Sequence, residues 1–240
     1  MNYDRENAVR TSKTRSQSAE MDMGLRAYML KIYNYMTLGL GITGVIAYFV
    51  ARDDSLVAAI MGNPILFWGL VIAQFGAVIF LSARVAKMST RTAQITFFAY
   101  AALTGLTLSG LFAAYTFESL ARVFFITAGT FGSMSLYGYT TKRDLTGLGS
   151  FLFMGLIGVI IASVVNMFVQ SSALMFLISV VGVLVFVGLT AYDTQQLKKM
   201  YYHVGQSELA ENYAVVGALR LYLDFINLFI YLLRFLGDRR

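Results

Sequence analysis

The chain has 240 residues, of which 58% are apolar and 13% charged. A water-soluble domain carries about 45–50% apolar and about 25% charged residues, so this balance excludes a soluble enzyme, a disordered chain and a nucleic-acid-binding domain. The net charge of +6 is no sign of nucleic acid either, because most Lys and Arg residues flank apolar runs, as they do in membrane proteins.

Residues 1–29 are polar and rich in Ser, Thr, Arg and Glu, without an early apolar stretch. They read as a polar cytoplasmic tail, mobile up to about Glu20, and not as a cleavable signal peptide. Residues 30–240 form the membrane domain. Uncharged runs cover Ile32–Ala51, Ser55–Ala83, Thr92–Phe117, Val123–Thr141 and Leu145–Tyr192. About 20 apolar residues cross the hydrocarbon core, so the first four runs supply spans near 32–51, 65–83, 93–115 and 122–140. Asn63-Pro64 carries the only proline and reads as a cap and first helical turn opening the second span. The last run has 48 residues, too long for one crossing, and the polar cluster Asn166 to Ser172 supplies the turn. Spans near 148–167 and 173–192 follow, and a last one near 214–236 holds Arg220, Asp224 and Arg234. The expectation is an all-α polytopic bundle of seven transmembrane helices.

Lys and Arg fall thirteen to two between the alternate sets of loops, which puts the N-terminus in the cytoplasm. Seven crossings leave Arg234, Arg239 and Arg240 outside, against that trend, so either the last helix is held by its neighbours rather than by charge or it does not fully cross. Gly105-x3-Ser109, Ala128-x3-Gly132, Gly129-x3-Ser133, Gly155 and Gly158 read as packing seams, since close helix contact in lipid depends on small residues.

An ionisable side chain inside a span is costly and marks a functional candidate. Asp224 lies in the last span and Asp193 ends the sixth. Arg220, Asp224, Asn227, Tyr231 and Arg234 are spaced 4, 3, 4 and 3 apart, one stripe along a helix that cannot face lipid. That stripe makes the last helix central. Gly182, Thr190, Asp193 and Gln196 share a face of the sixth. Both aspartates fall in the cytoplasmic half, with Arg84 and Arg220 as candidate counter-charges. A local Arg220–Asp224 ion pair at i and i+4 is the plainer alternative. His203, the only histidine, sits in a polar loop and lacks the convergent ligands of a metal site.

An enzyme is not expected. Tyr192-Asp193 fits half of the presenilin-type two-aspartate protease signature, but Arg220-Leu-Tyr-Leu-Asp224 lacks the Gly-x-Gly-Asp of the other half. The Pro-Ala-Leu motif is absent too. Serine–histidine chemistry fails because His203 lies outside the spans.

Several ordered motifs bring a resemblance. Leu103-Thr-Gly-Leu-Thr-Leu-Ser109, Tyr137-Gly-Tyr-Thr-Thr-Lys-Arg-Asp-Leu145 with Gly149-Ser-Phe, Ala191-Tyr-Asp-Thr194 and Leu221-Tyr-Leu-Asp-Phe-Ile-Asn-Leu228 resemble the Bax inhibitor-1 family over about residues 25–240. The Leu-Leu-Arg-Phe-Leu-Gly-Asp-Arg-Arg ending resembles its bacterial members. The resemblance implies six helices around a central seventh, and a pH-sensitive calcium leak in a bacterial inner membrane. It also implies a hydrogen-bonded aspartate pair as sensor, matching Asp193 and Asp224, with calcium held there only weakly and transiently. Arg84 matches the family's basic partner by position alone. No cofactor is implied, calcium being the permeant ion. The expected partners are the lipid bilayer, calcium and protons. The alternative is a non-transporting regulator of a membrane protease or other membrane assembly, in which the aspartates are structural.

Overall fold

The computed structural model describes the backbone of residues 2–205, 207 and 209–240, and the side chains from residue 21 onward within that set. Among the described residues the chain is all helical: α1 (Asn2–Val50), α2 (Asp54–Met61), α3 (Pro64–Arg84), α4 (Thr90–Ala114), α5 (Phe117–Thr140), α6 (Thr146–Val169), α7 (Ser172–Val204) and α8 (Leu209–Leu236). The tail expected over 1–29 lies largely outside the described side chains. Packing starts by Leu25, which is buried with Tyr28 and Met29 in the core.

Among the described residues six helices are long and apolar enough to cross a membrane: α1 from Met21, α3, α4, α6, α7 and α8. α5 equals them in length, with 24 residues, but is less apolar. The short α2 was not expected; it splits the Ser55–Ala83 run, with Asp53 capping Ser55 and Leu56 amides. Asn63 accepts from the Ile65 and Leu66 amides and Pro64 takes the first helical position, as its pairing with proline suggested. The turn between α6 and α7 also falls in its polar cluster. Gln170 there is left-handed at φ 53°, and Asn166 Oδ1 accepts from the Ser171 amide at 3.0 Å.

α3 and α6 turn large apolar side chains outward. Ile65, Trp68, Ile72 and Phe75 are exposed on α3, as are Phe151, Met154, Ile157 and Phe168 on α6. Such continuous apolar surface needs a non-aqueous neighbour, here the lipid tails. α8 is the opposite case: it touches α1, α3, α4, α5 and α7 and is the most buried of the membrane-length helices.

Polar contacts sort the loops into two ends. At one end Lys31 of α1 pairs with Glu211 at the start of α8. Asn212 Nδ2 donates to the carbonyls of Val85 at 3.0 Å and Met88 at 2.8 Å, while its Oδ1 accepts from Thr90 Oγ1 at 2.8 Å. Gln195 of α7 holds the α5–α6 loop, accepting from the Leu145 amide and donating to the Arg143 carbonyl. Lys199, and then Thr146, hold the Asp144 carboxyl in that loop down to about 2. At the other end the C-terminal segment clips onto the α4–α5 turn. The Thr116 amide donates to the Asp238 carbonyl, the Arg240 amide donates to the Ala114 carbonyl, and Arg122 pairs with Asp238 at 2.8 Å.

Asn212 is buried and fully used, so Asn212→Ala leaves one buried and one part-buried carbonyl and a threonine hydroxyl without it. The expected loss is about 1–3 kcal/mol of stability, read by thermal unfolding in detergent. An unchanged unfolding temperature contradicts that role.

The small-residue seams divide. Gly105 is used: an added Cβ would stand 2.8 Å from both the Thr43 carbonyl oxygen and Ile46 Cβ of α1. Gly155 faces Val185. A Cβ added at Gly129, Gly132 or Gly158 would meet nothing within 4 Å, so the α5 seam expected at Ala128 to Ser133 is corrected: Ala128 packs against the core, but the two glycines do not. The buried stripe of α5 runs instead through Val123, Thr127, Phe131, Ser135 and Gly138, at steps of three and four.

Candidate functional site

The α7 segment Thr190 to Gln195 is buried apart from Tyr192, and it is fixed by its neighbours on both sides. α5 approaches so closely at Gly138 that an added Cβ would collide with the Ala191 carbonyl oxygen and lie 2.9 Å from Ala191 Cα. On the other flank the ring of Tyr192 covers Gly149 of α6, which has no room for a side chain. Thr194 Oγ1 reaches Ser135 Oγ at 2.9 Å, and Ser135 Oγ in turn meets Tyr33 Oη at 2.6 Å. The motif Ala191-Tyr-Asp-Thr194 is thus a docking surface for α5 and α6 that aims Asp193 at α8.

α8 is fixed two residues before Asp224. Tyr222 is fully buried, its hydroxyl lies 2.5 Å from Thr43 Oγ1, and its ring packs edge-on against Phe97 and Tyr100. Asp224 then faces α7.

The two carboxyl groups meet in one cavity of about 650 Å³ between α3, α6, α7 and α8. They are close enough to act on each other directly. Asp193 and Asp224 are 7% and 4% exposed. Among the described residues, Asp224 Oδ2 is buried without a hydrogen-bond partner. Leaving such an atom unpaired costs about 1–3 kcal/mol, more when it is charged, so something must justify it. Besides Tyr192 of α7, the remaining polar lining comes from Arg220, Asn227 and Tyr231, three members of the stripe predicted on the last helix. Tyr231 stacks on Phe186 at 5.8 Å and fills the space over Gly182, where a Cβ would stand 2.7 Å from its ring.

The counter-charges come out unequally. Arg220 Nη1 lies 3.5 Å from Asp193 Oδ1, so the guanidinium reaches across to α7 and does not form the local pair with Asp224. Arg84 is not brought to the site. It is exposed at the end of α3, its guanidinium 6.0 Å from the Phe80 ring centroid, and it does not line the cavity. The reason is its position at the last residue of α3, where the side chain leaves the helix instead of pointing into it. Arg234 also departs from the stripe's cavity, one turn beyond Tyr231. His203 is exposed near the end of α7. Among the described residues no three His, Asp or Glu side chains converge as metal ligands. Ser135, Thr194 and Thr43 were missed because a short polar residue in a helix looks the same whether it bonds its own carbonyl or a neighbouring helix, and Gln195 and Tyr222 because their spacing does not name the neighbour they reach.

A family model described as "Inhibitor of apoptosis-promoting Bax1" matches residues 25–240. The chain is 50% identical over 219 residues to the inner membrane protein YbhL of Escherichia coli, covering 90% of this chain and 94% of that one. It is 48% identical over 236 residues to a protein of Rickettsia prowazekii, covering 97% and 98%. A protein of Borreliella burgdorferi is 50% identical over 214 residues, covering 89% and 92%. With helices of membrane length, the ordered motifs and these matches over nearly its whole length, the chain is an integral membrane protein and belongs to the Bax inhibitor-1 family.

Proposed function

We propose that the protein is a slow, proton-regulated leak for calcium ions, with Asp193 and Asp224 as its sensor, in a bacterial inner membrane. The observation that carries this reading is the buried, unpartnered Asp224 oxygen beside a second carboxyl in a cavity within the helical bundle. In this reading α5 is also a crossing helix, giving seven, and α8 is the central one.

Two neighbouring carboxylates cannot both ionise cheaply, and they titrate as a unit. A proton shared between them ties α7 to α8 and shuts the path. Its loss leaves like charges that push the helices apart and attract a cation. Arg220, engaged with Asp193, balances one of the two charges and leaves Asp224 as the site with excess negative potential. Calcium prefers six to eight oxygen ligands, so two carboxylates with Asn227 and Tyr231 nearby make a site weak enough to leave. The reading assigns no bond-breaking chemistry to the pair.

The test is calcium flux through the purified protein alone in proteoliposomes, with pH varied on each side. A pH-dependent flux absent from empty vesicles supports a leak. Flux that needs a second protein, or none at any pH, removes it.

Orientation is tested separately. With the thirteen basic residues cytoplasmic, Lys142→Cys in this cysteine-free chain should resist a membrane-impermeant thiol reagent in intact cells and react after permeabilisation. Ready labelling of intact cells reverses the orientation.

A further inference from the structure

The end of the bundle opposite the α7–α8 turn holds a second cavity, of about 470 Å³, formed by α4, α6, α7, α8 and the C-terminal segment. Its lining includes Arg234 and Arg239 together with Tyr115, Ser163 and Asn166, and no Asp or Glu. Neither arginine forms an ion pair among the described residues. Arg239 Nε lies 3.4 Å from Tyr115 Oη, and Arg234 stands 5.9 Å from the Tyr231 ring centroid. Asp238, the acid nearest in sequence, is turned away by Arg122. Two arginines without an acidic partner thus line one cavity, and a guanidinium carries a matching fork for phosphate oxygens. The walls are apolar, and Met167 and Met175 are 62% and 40% exposed on the outer surface of α6 and α7.

We propose that this cavity binds the phosphate of an anionic phospholipid, with the acyl chains lying against the exposed methionines. The occupant is a lipid and not a free anion because the cavity is lined by helices of membrane length and by two methionines exposed on their outer surface, where a phosphate arrives with its chains already in the bilayer. The pair Arg234 and Arg239 also runs against the distribution of the other basic residues, and a bound anion gives them a partner.

The test is native mass spectrometry of the full-length protein exchanged into mixed phosphatidylglycerol and phosphatidylcholine, alongside thermal unfolding with each lipid and with inorganic phosphate. Phosphatidylglycerol should be retained over phosphatidylcholine by about tenfold, and R234Q/R239Q should abolish that preference. R52Q, an exposed arginine packed on Tyr48, should leave it unchanged. If the double variant does not fold, R239Q alone decides, since Arg239 lies beyond α8 and is exposed; it should weaken retention by about fivefold. Equal retention of both lipids, or an unaltered preference in these variants, overturns the proposal. Stabilisation by inorganic phosphate equal to that by phosphatidylglycerol overturns it as well, by making the cavity a small-anion site.

Discussion

Asp224→Asn should fold, insert and lose most of the pH response of calcium flux that the proposed leak shows. Asparagine keeps the shape of the side chain and can still hydrogen-bond, but it cannot ionise, so the repulsion that opens the path is gone. The buried Oδ2, which has no partner, also makes Asp224 the residue whose charge is least compensated. Replacing it should therefore leave stability unchanged or raise it. Asp193→Asn should flatten the same profile and in addition lower stability, because it takes away the partner of Arg220. The double variant should do little more than either one to the pH profile, since a coupled pair fails as a unit. A purely structural ion pair gives a different pattern: only Asp193→Asn has an effect, and that effect is on stability. A normal pH–flux profile in well-folded Asp224→Asn protein rejects the sensor.

Gly138→Ala should be the most damaging single-methyl change in the helices. The added Cβ would run into backbone, the Ala191 carbonyl and Cα, and backbone cannot rotate away as a side chain can. Overpacking of this kind costs about 1–3 kcal/mol or more, and here it also pushes on the residue two positions before Asp193. Gly129→Ala, nine residues earlier on the same helix, meets nothing within 4 Å and should be nearly neutral. Thermal unfolding of the two variants in one detergent compares them directly. Equal shifts would mean that α5 and α7 do not depend on that close approach.

The same two glycines show where sequence reading stops. Gly129 and Gly105 sit in indistinguishable small-x3-small patterns, yet one faces outward and the other meets α1. Spacing says that a helix has a small face; it does not say which neighbour covers that face. The aspartate pair was legible because a charge inside a membrane span is expensive enough to stand out, and because a period near 3.6 aligned Arg220, Asp224, Asn227 and Tyr231. Their choice of partner was not. The i, i+4 rule offers Arg220 the nearest acid on its own helix, while the fold presents Asp193 from across the interface. Helix ends with specific chemistry, such as Asn63-Pro64 and the Asn166 to Ser172 turn, could be read closely. α2 could not, since eight residues inside a long apolar run carry no periodic signature of their own.

The position of α8 bears on how the protein is made. Translation delivers α7 before α8, so a nascent chain holds Asp193 in the membrane before either Arg220 or Asp224 has left the ribosome. Arg220 emerges first, which lets the arginine neutralise Asp193 before the second acid arrives. A chain truncated before Leu209 lacks the helix that α1, α4, α5 and α7 all pack against. It has no paired carboxyls and no filled interior, and quality-control proteases would meet it as loosely associated helices.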